Sequence, residues 1–166
     1  MALDLSRMTF LLVVEDSPMQ RLIRDLLADL GAGRVVEAAN GTDGLVAVAE
    51  NEVDIVISDW MTEPMDGLDF VRRLRACGGG GDPTVPIIML TGHTERHRIV
   101  EARDAGVTEF LAKPATARGV SSRIRSIVEA PRPFVRLGRY AGPDRRRRAA
   151  NEDDRRRRAL DADAAD

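Results

Sequence analysis

The sequence has almost no cysteine and no long apolar run. Cys77 is the one cysteine among 166 residues, so no disulfide can form within the chain, which fits a reducing compartment. Residues 1–7 are too few and too polar for a secretory signal. No stretch approaches the roughly 20 apolar residues that a membrane span needs. We therefore expect a cytoplasmic protein without a membrane segment. Its 166 residues are enough for one ordinary domain and a tail but not for two domains.

Charge is distributed unevenly along the chain. The net charge is −2, but residues 131–166 hold eleven arginines against seven acidic residues, so the rest of the chain is clearly acidic. Pro131 and Pro133 stand where the composition changes. The asymmetry suggests two jobs in one chain. It predicts a domain over residues 8–130, followed by an arginine-rich, flexible tail over residues 131–166.

Short apolar runs alternate with longer amphipathic segments. Strand-like runs occur at Thr9–Val14, Val35–Ala38, Val53–Ser58, Pro86–Leu90 and Thr108–Leu111. Helical spacing follows each of them: from Ser17-Pro18 to the stop at Gly31, then at Gly41–Glu50, Leu68–Ala76, Glu95–Ala105 and about Thr116–Glu129. Five such units in about 130 residues predict an α/β fold, a parallel sheet with helices on both faces.

Polar residues follow four of the five predicted strands. These are Glu15 and Asp16 after the first, Asp59 after the third, Thr91 after the fourth and Lys113 after the fifth. In a doubly wound sheet, the carboxyl ends of the strands form the ligand-binding edge. Three carboxylates gathered there repel one another unless a cation lies among them, and Mg²⁺ prefers such oxygen ligands. Asp59 is placed to act as a carboxylate nucleophile toward phosphorus, with Thr91 and Lys113 stabilising the transferred group.

The segments VVEDSPMQRLI, ISDWM, PMDGL, IIMLTG and EFLAKP carry a resemblance to a known family. Over about residues 8–130 the chain resembles the response-regulator receiver domains, the single-domain chemotaxis-regulator type in particular. The resemblance implies a flavodoxin-like (βα)5 fold with strand order 2-1-3-4-5. It also implies a two-component phosphorelay, in which a histidine kinase or a histidine phosphotransferase donates a phosphoryl group. Such a protein catalyses its own phosphorylation and slow dephosphorylation and has no separate substrate.

The resemblance implies a role for each site residue. Asp59 is the phospho-acceptor. The expected Mg²⁺ ligands are Glu15 through water, Asp16, Asp59 and the backbone carbonyl of Met61. Thr91 and Lys113 contact the phosphoryl oxygens, Lys113-Pro114 resembles a cis-proline step, and Phe110 occupies an aromatic switch position together with Thr91.

Two positions depart from the family's pattern. The proline expected four residues after the acceptor is replaced by Glu63, and Pro64 follows it, which puts the loop path beside the site in doubt. Met61 replaces a commoner polar residue, and its bulk could hinder the hydrolytic water. We therefore expect a long-lived acyl phosphate.

Two other classes of protein remain possible readings of these residues. A phosphatase of the haloacid dehalogenase type also forms an aspartyl phosphate, but it needs a second acid two residues after the nucleophile, where this chain has Met61. A binding module with a degenerate site would not need the full acceptor set. With no DNA-binding output domain in the sequence, we expect the protein to signal by contact with a downstream protein.

The arginine-rich tail has three interpretations. It could be a solvated, disordered tail, or Phe134, Tyr140 and the prolines could dock it on the receiver domain. It also resembles the extension of chemotaxis-like receivers that bind cyclic di-GMP, since arginine pairs with the guanine edge and with phosphate. The nucleotide candidates are Asp144, Arg145, Arg146, Arg147, Arg148, Asp154, Arg155 and Arg156.

Overall fold

Five parallel strands alternate with helices and form the sheet that carries the predicted site. The computed structural model describes residues 3–76 and 80–145, apart from the side chains of residues 93 and 94. The strands are β1 (Thr9–Val13), β2 (Arg34–Ala38), β3 (Ile55–Asp59), β4 (Ile87–Thr91) and β5 (Glu109–Ala112). The helices are α1 (Ser17–Asp29), α2 (Gly41–Glu50), α3 (Gly67–Arg75), α4 (Ile99–Ala105) and α5 (Ala117–Glu129). A terminal hairpin consists of β6 (Phe134–Leu137) and β7 (Tyr140–Pro143).

The sheet order is β2-β1-β3-β4-β5, and all its strand pairs are parallel. This confirms the predicted flavodoxin-like order 2-1-3-4-5. Every residue of β3 and β4 is buried, as their continuous apolar sequences require of strands covered on both faces. The central position of β3 brings Asp59, its last residue, to the middle of the carboxyl edge.

The core consists of one apolar layer on each face of the sheet. Alternate residues of β1 face opposite layers, because successive strand side chains point to opposite sides. Leu11 and Val13 pack with side chains of α2 and α3, whereas Phe10 and Leu12 pack with those of α1 and α5. Side-chain oxygens cap the first backbone N–H groups of four helices, and the capping residues are Asp16, Asn40, Asp66 and Thr116.

The segment after β4 differs from the prediction of one continuous helix over Glu95–Ala105. The chain first forms a 3-10 helix over His93–Arg98, and α4 follows with only seven residues. The Glu95 carboxylate is 6% exposed and accepts a hydrogen bond from the Gly92 backbone N–H at 3.1 Å. This buried contact holds the first turn of the 3-10 helix close to the end of β4.

The first part of the arginine-rich segment also differs from the predicted flexible tail. Residues 134–143 form an antiparallel hairpin, closed by a hydrogen bond from the Asp144 backbone N–H to the Pro133 carbonyl oxygen. The Phe134 ring lies over the guanidinium of Arg75 at 5.3 Å, so the docked interpretation describes this part of the tail. The hairpin can dock because its backbone passes close to Gly106, which has no side chain. A Cβ on Gly106 would lie 2.4 Å from the Ala141 carbonyl oxygen. Residues 146–166 lie outside the described residues.

Candidate functional site

The carboxyl edge of the sheet brings the predicted acceptor and its amine together. Asp59 ends β3 and is 4% exposed. Its Oδ1 atom lies 2.7 Å from the Lys113 Nζ atom, and the Met61 backbone N–H donates a hydrogen bond to the same oxygen at 3.4 Å. The side chain of Lys113 is 26% exposed, so one partner of this ion pair is buried and the other reaches the surface. A partly buried pair attracts more strongly than one in bulk water.

Lys113 is positioned by the backbone of the neighbouring strand. Its N–H donates to the Thr91 carbonyl oxygen at 2.9 Å, which continues the pairing of β4 with β5 past the end of β5. The Lys113–Pro114 peptide bond is cis, as the resemblance implied. Thr91 is the last residue of β4 and is 7% exposed. The acceptor, the hydroxyl-bearing residue and the amine therefore lie at the carboxyl ends of three adjacent strands, β3, β4 and β5.

The two acidic residues after β1 are exposed and already hydrogen-bonded to backbone. Asp16 caps α1, with its Oδ2 atom accepting from the Met19 N–H at 2.9 Å. Glu15 accepts from the Glu63 N–H at 3.3 Å, so it contacts the loop whose path the sequence left in doubt. In that loop the Glu63–Pro64 bond is cis, and Asp66 caps α3.

Comparison with known proteins decides the family. The sequence profile of the response regulator receiver domain matches residues 11–125. The chain belongs to this family. A similar protein is the chemotaxis protein CheY of Pseudomonas aeruginosa, 36% identical over 120 residues that make up 72% of this chain and 95% of that protein. CheY-3 of Vibrio cholerae is 33% identical over 120 residues, covering 72% of this chain and 91% of that one.

Solved structures agree with the assignment as a receiver domain. A response regulator receiver domain protein from Clostridium thermocellum has a TM-score of 0.66 and 29% identity, covering 74% of this chain and 94% of the other. The receiver domain of a sensor histidine kinase from Pseudomonas aeruginosa, with a magnesium ion coordinated in its active site cleft, has a TM-score of 0.66 and 25% identity. The match covers 74% of this chain and 98% of that one.

The side chains of the predicted Mg²⁺ ligands do not close around one point in the part of the chain that the structure describes. Within residues 3–76 and 80–145, no three His, Cys, Asp or Glu side chains lie close enough together to hold a metal ion. The reason is that Asp16 and Glu15 turn toward backbone N–H groups of α1 and the following loop. The contacts of Asp59 with described residues fall on Oδ1, which leaves Oδ2 without a hydrogen bond. Mg²⁺ usually keeps several waters and takes one or two carboxylates, so the donors of this receiver domain suit it.

Phe110 lies in β5 at the predicted switch position and is half-buried. Its ring packs against the apolar layer that contains Trp60 and Val107. Its carbonyl oxygen accepts a hydrogen bond from the Arg123 guanidinium, which covers the outer edge of the sheet. Nothing in this arrangement tests an inward movement, so the switch role of Phe110 and Thr91 stays a prediction.

Trp60 is a neighbour of the acceptor that sequence reasoning missed. It is the one tryptophan of the chain, follows Asp59 directly and is fully buried. Its indole Nε1 is buried without a hydrogen-bond partner among the described residues, and the Arg98 guanidinium lies over the ring at 5.1 Å. Arg98 pairs in turn with Glu101 at 3.0 Å, which links the surroundings of Asp59 to α4. The only signal in the sequence was the position of a lone tryptophan beside the acceptor.

Two of the eight predicted nucleotide candidates, Asp144 and Arg145, lie within the described residues. Arg145 lies 2.8 Å from Asp104 in an ion pair, and its guanidinium covers the Tyr140 ring at 4.1 Å. Asp144 closes the hairpin through its backbone. These contacts attach the end of the hairpin to α4. The other candidates lie outside the described residues and are Arg146, Arg147, Arg148, Asp154, Arg155 and Arg156. The cyclic di-GMP interpretation therefore stays a prediction.

Proposed function

We propose that this receiver domain accepts a phosphoryl group on Asp59 from a histidine kinase or a histidine phosphotransferase. The observation that carries the proposal is the buried Asp59 carboxylate at the end of the central strand, 2.7 Å from the Lys113 amine. Membership of the receiver family supports it. The protein then acts as a stand-alone response regulator that signals by contact with a downstream protein, in the cytoplasm.

The transfer is a displacement at phosphorus. An oxygen of the Asp59 carboxylate forms a P–O bond while the P–N bond of the donor phosphohistidine breaks. The electron pair of that bond stays on the imidazole nitrogen, which takes up a proton. The product is an aspartyl phosphate, a mixed anhydride. The chain supplies the nucleophile and catalyses no reaction on a separate substrate, so we do not regard it as an enzyme in the usual sense.

The site residues orient the acceptor and stabilise charge. Lys113 and the Met61 N–H hold one carboxylate oxygen, which fixes the rotation of the carboxyl group. The ammonium of Lys113 also offsets negative charge that spreads over the phosphoryl oxygens during transfer. The Thr91 hydroxyl serves as a further hydrogen-bond donor to those oxygens.

Mg²⁺ is the cofactor that we assign to the site, with Asp16, Asp59 and the Met61 carbonyl as ligands and Glu15 acting through water. When bound, it neutralises charge on the phosphoryl group. The magnesium ion in the cleft of the related Pseudomonas aeruginosa receiver domain supports this choice.

The proposal is tested with a small-molecule phosphoryl donor, which removes the need to know the partner kinase. The full chain is incubated with acetyl phosphate and Mg²⁺, and its intact mass is measured. We expect one phosphoryl group per chain, no modification when EDTA replaces Mg²⁺, and none in Asp59→Asn. The matched control is Asp25→Asn, because Asp25 is exposed on α1 and remote from the carboxyl edge. Modification of Asp59→Asn to the wild-type extent would exclude Asp59 as the acceptor.

A further inference from the structure

A broad cleft lies between α3, α4 and the hairpin. Its volume is about 770 Å³, and Arg72, Val100, Arg136 and Arg139 are among the residues that line it. It also borders Arg75, which binds the carbonyl oxygens just before β4 and β5, so it extends toward the amino ends of the strands. The cleft is therefore distinct from the acceptor site at the carboxyl ends.

The cleft is basic although the whole chain is acidic. Four arginines from α3 and the hairpin line it, against two carboxylates from α4, Glu101 and Asp104. Both carboxylates are paired with arginines outside the lining, Glu101 with Arg98 at 3.0 Å and Asp104 with Arg145 at 2.8 Å, and Glu101 also pairs with Arg72 of the lining at 3.2 Å. The arginines that face the cleft thus keep a positive excess on a chain whose net charge is −2.

Two of these arginines are able to take up a new anionic partner. Arg139 is exposed and makes no hydrogen bond or ion pair with any described residue. Arg72 pairs with Asp69 at 3.5 Å and with Glu101 at 3.2 Å, but its side chain is 50% exposed. Exposed pairs of this kind contribute little and exchange readily. The planar guanidinium matches a carboxylate in two parallel hydrogen bonds.

The remaining lining is aliphatic. Val100 is 65% exposed, and Ala105 and Ala141 lie beside it in the cleft. None of the described lining residues is aromatic, so the cleft offers no ring on which a base could stack. Guanidinium groups around an aliphatic floor match acidic side chains next to aliphatic ones, the composition of a peptide segment.

We infer that this cleft is a docking site for an acidic segment of a partner protein that also carries an aliphatic side chain. Arg72 and Arg139 bind the carboxylates, and Val100 with Ala105 and Ala141 accepts the aliphatic side chain. The inference rests on the proposed signalling by protein contact and specifies where and how the target binds. The Glu101–Arg98–Trp60 contacts connect the cleft to the neighbour of Asp59.

The test uses a displayed library of random linear peptides, selected on the full chain after treatment with acetyl phosphate and Mg²⁺. We expect enrichment of sequences with Asp or Glu beside Leu, Ile or Val. Affinity for a selected, fluorescein-labelled peptide is expected to fall about tenfold or more in Arg139→Glu and in Val100→Asp. Both side chains are exposed, so neither change should disturb the fold.

Matched controls make the result specific to the cleft. Arg73→Glu reverses an exposed arginine of α3 outside the lining, and Val46→Asp changes a valine of α2 that is 52% exposed. Both variants should bind like the wild type. The inference is overturned by an absence of enrichment, by enrichment without acidic residues, by equal binding of all variants, or by preference for a labelled oligonucleotide.

The same variants separate this inference from the proposed function. Arg139→Glu and Val100→Asp should be phosphorylated by acetyl phosphate like the wild type, because their positions lie away from the carboxyl edge. If all variants bind the peptide equally while Asp59 is still phosphorylated, only the docking site in the cleft is rejected. Phosphorylation that does not depend on Asp59 would reject the proposed function, whatever the peptide result.

Discussion

The guanidinium of Arg75 is buried and donates four hydrogen bonds to three backbone carbonyl oxygens. Arg75 is 3% exposed, and the acceptors are Gly106 O at 2.9 and 3.1 Å, Val85 O at 2.7 Å and Pro83 O at 2.8 Å. No carboxylate of the described residues pairs with it. Burial lowers the pKa of Arg75 to about 10, because desolvation penalises the charged form. Two loops, the one before β4 and the one before β5, and the hairpin thus depend on one buried cation.

We expect Arg75→Met to lower the free energy of unfolding by about 2 kcal/mol. Three carbonyl oxygens that lose their donor cost about 1–3 kcal/mol each, or about 5 kcal/mol together. Removing the buried charge stabilises the folded protein by about 3 kcal/mol, the energy that corresponds to the lowered pKa, and this offsets part of the loss. Arg75→Lys should destabilise more than the methionine variant. An ammonium remains charged in the same buried position, but it cannot reach three carbonyls with a rigid planar fork.

Urea unfolding followed by the emission of Trp60 measures this effect, since that residue is the one tryptophan and is fully buried. Arg73→Met is the matched control, because Arg73 is exposed in the same helix, and its expected change is within about 0.5 kcal/mol. The reasoning fails if Arg75→Met equals this control. It also fails if lysine restores the wild-type stability, since the charge rather than the hydrogen-bonding fork would then be decisive.

Three further predictions concern the same region, the pH response and the tail. Gly106→Ala should lower the free energy of unfolding by about 2–3 kcal/mol, whereas Gly31→Ala should lower it by ~1 kcal/mol. Urea unfolding of both variants under the same conditions measures the difference. Both glycines have positive φ, but only at Gly106 does a Cβ meet the hairpin backbone, so equal losses would contradict the close packing. The unfolded chain binds the Arg75 proton more tightly than the folded protein. The stability of the wild type relative to Arg75→Met should therefore stay constant below about pH 10 and rise above it toward the ordinary arginine pKa, and a fall there would refute the assignment. The nucleotide interpretation predicts calorimetric binding of cyclic di-GMP, micromolar or tighter, by the full chain and none by a chain ending at Ala130, and absence of heat with both would reject it.

The sequence alone was sufficient to predict the α/β class and the contact between Asp59 and Lys113. Apolar runs of strand length separated by amphipathic segments favour a parallel sheet covered on both faces, and such a sheet brings its strand ends to one edge. The predicted meeting of Asp59 with Lys113 follows from that rule alone. The resemblance supplied the strand order and the cis bond before Pro114, and the structure has both. Local spacing is informative about Asp59 and Lys113 because each of them directly follows or ends a strand.

Only the tertiary structure decided the features that depend on contacts between distant segments. Arg75 gives no sign in the sequence of burial, because its acceptors at Pro83, Val85 and Gly106 come close only after β4 and β5 pair. The hairpin is equally invisible: it has little core of its own and is stabilised by docking where Gly106 leaves room for its backbone. The basic cleft exists because that hairpin lies against α3 and α4. Periodicity describes one element at a time, whereas the packing of elements against one another sets burial, charge balance and close approach.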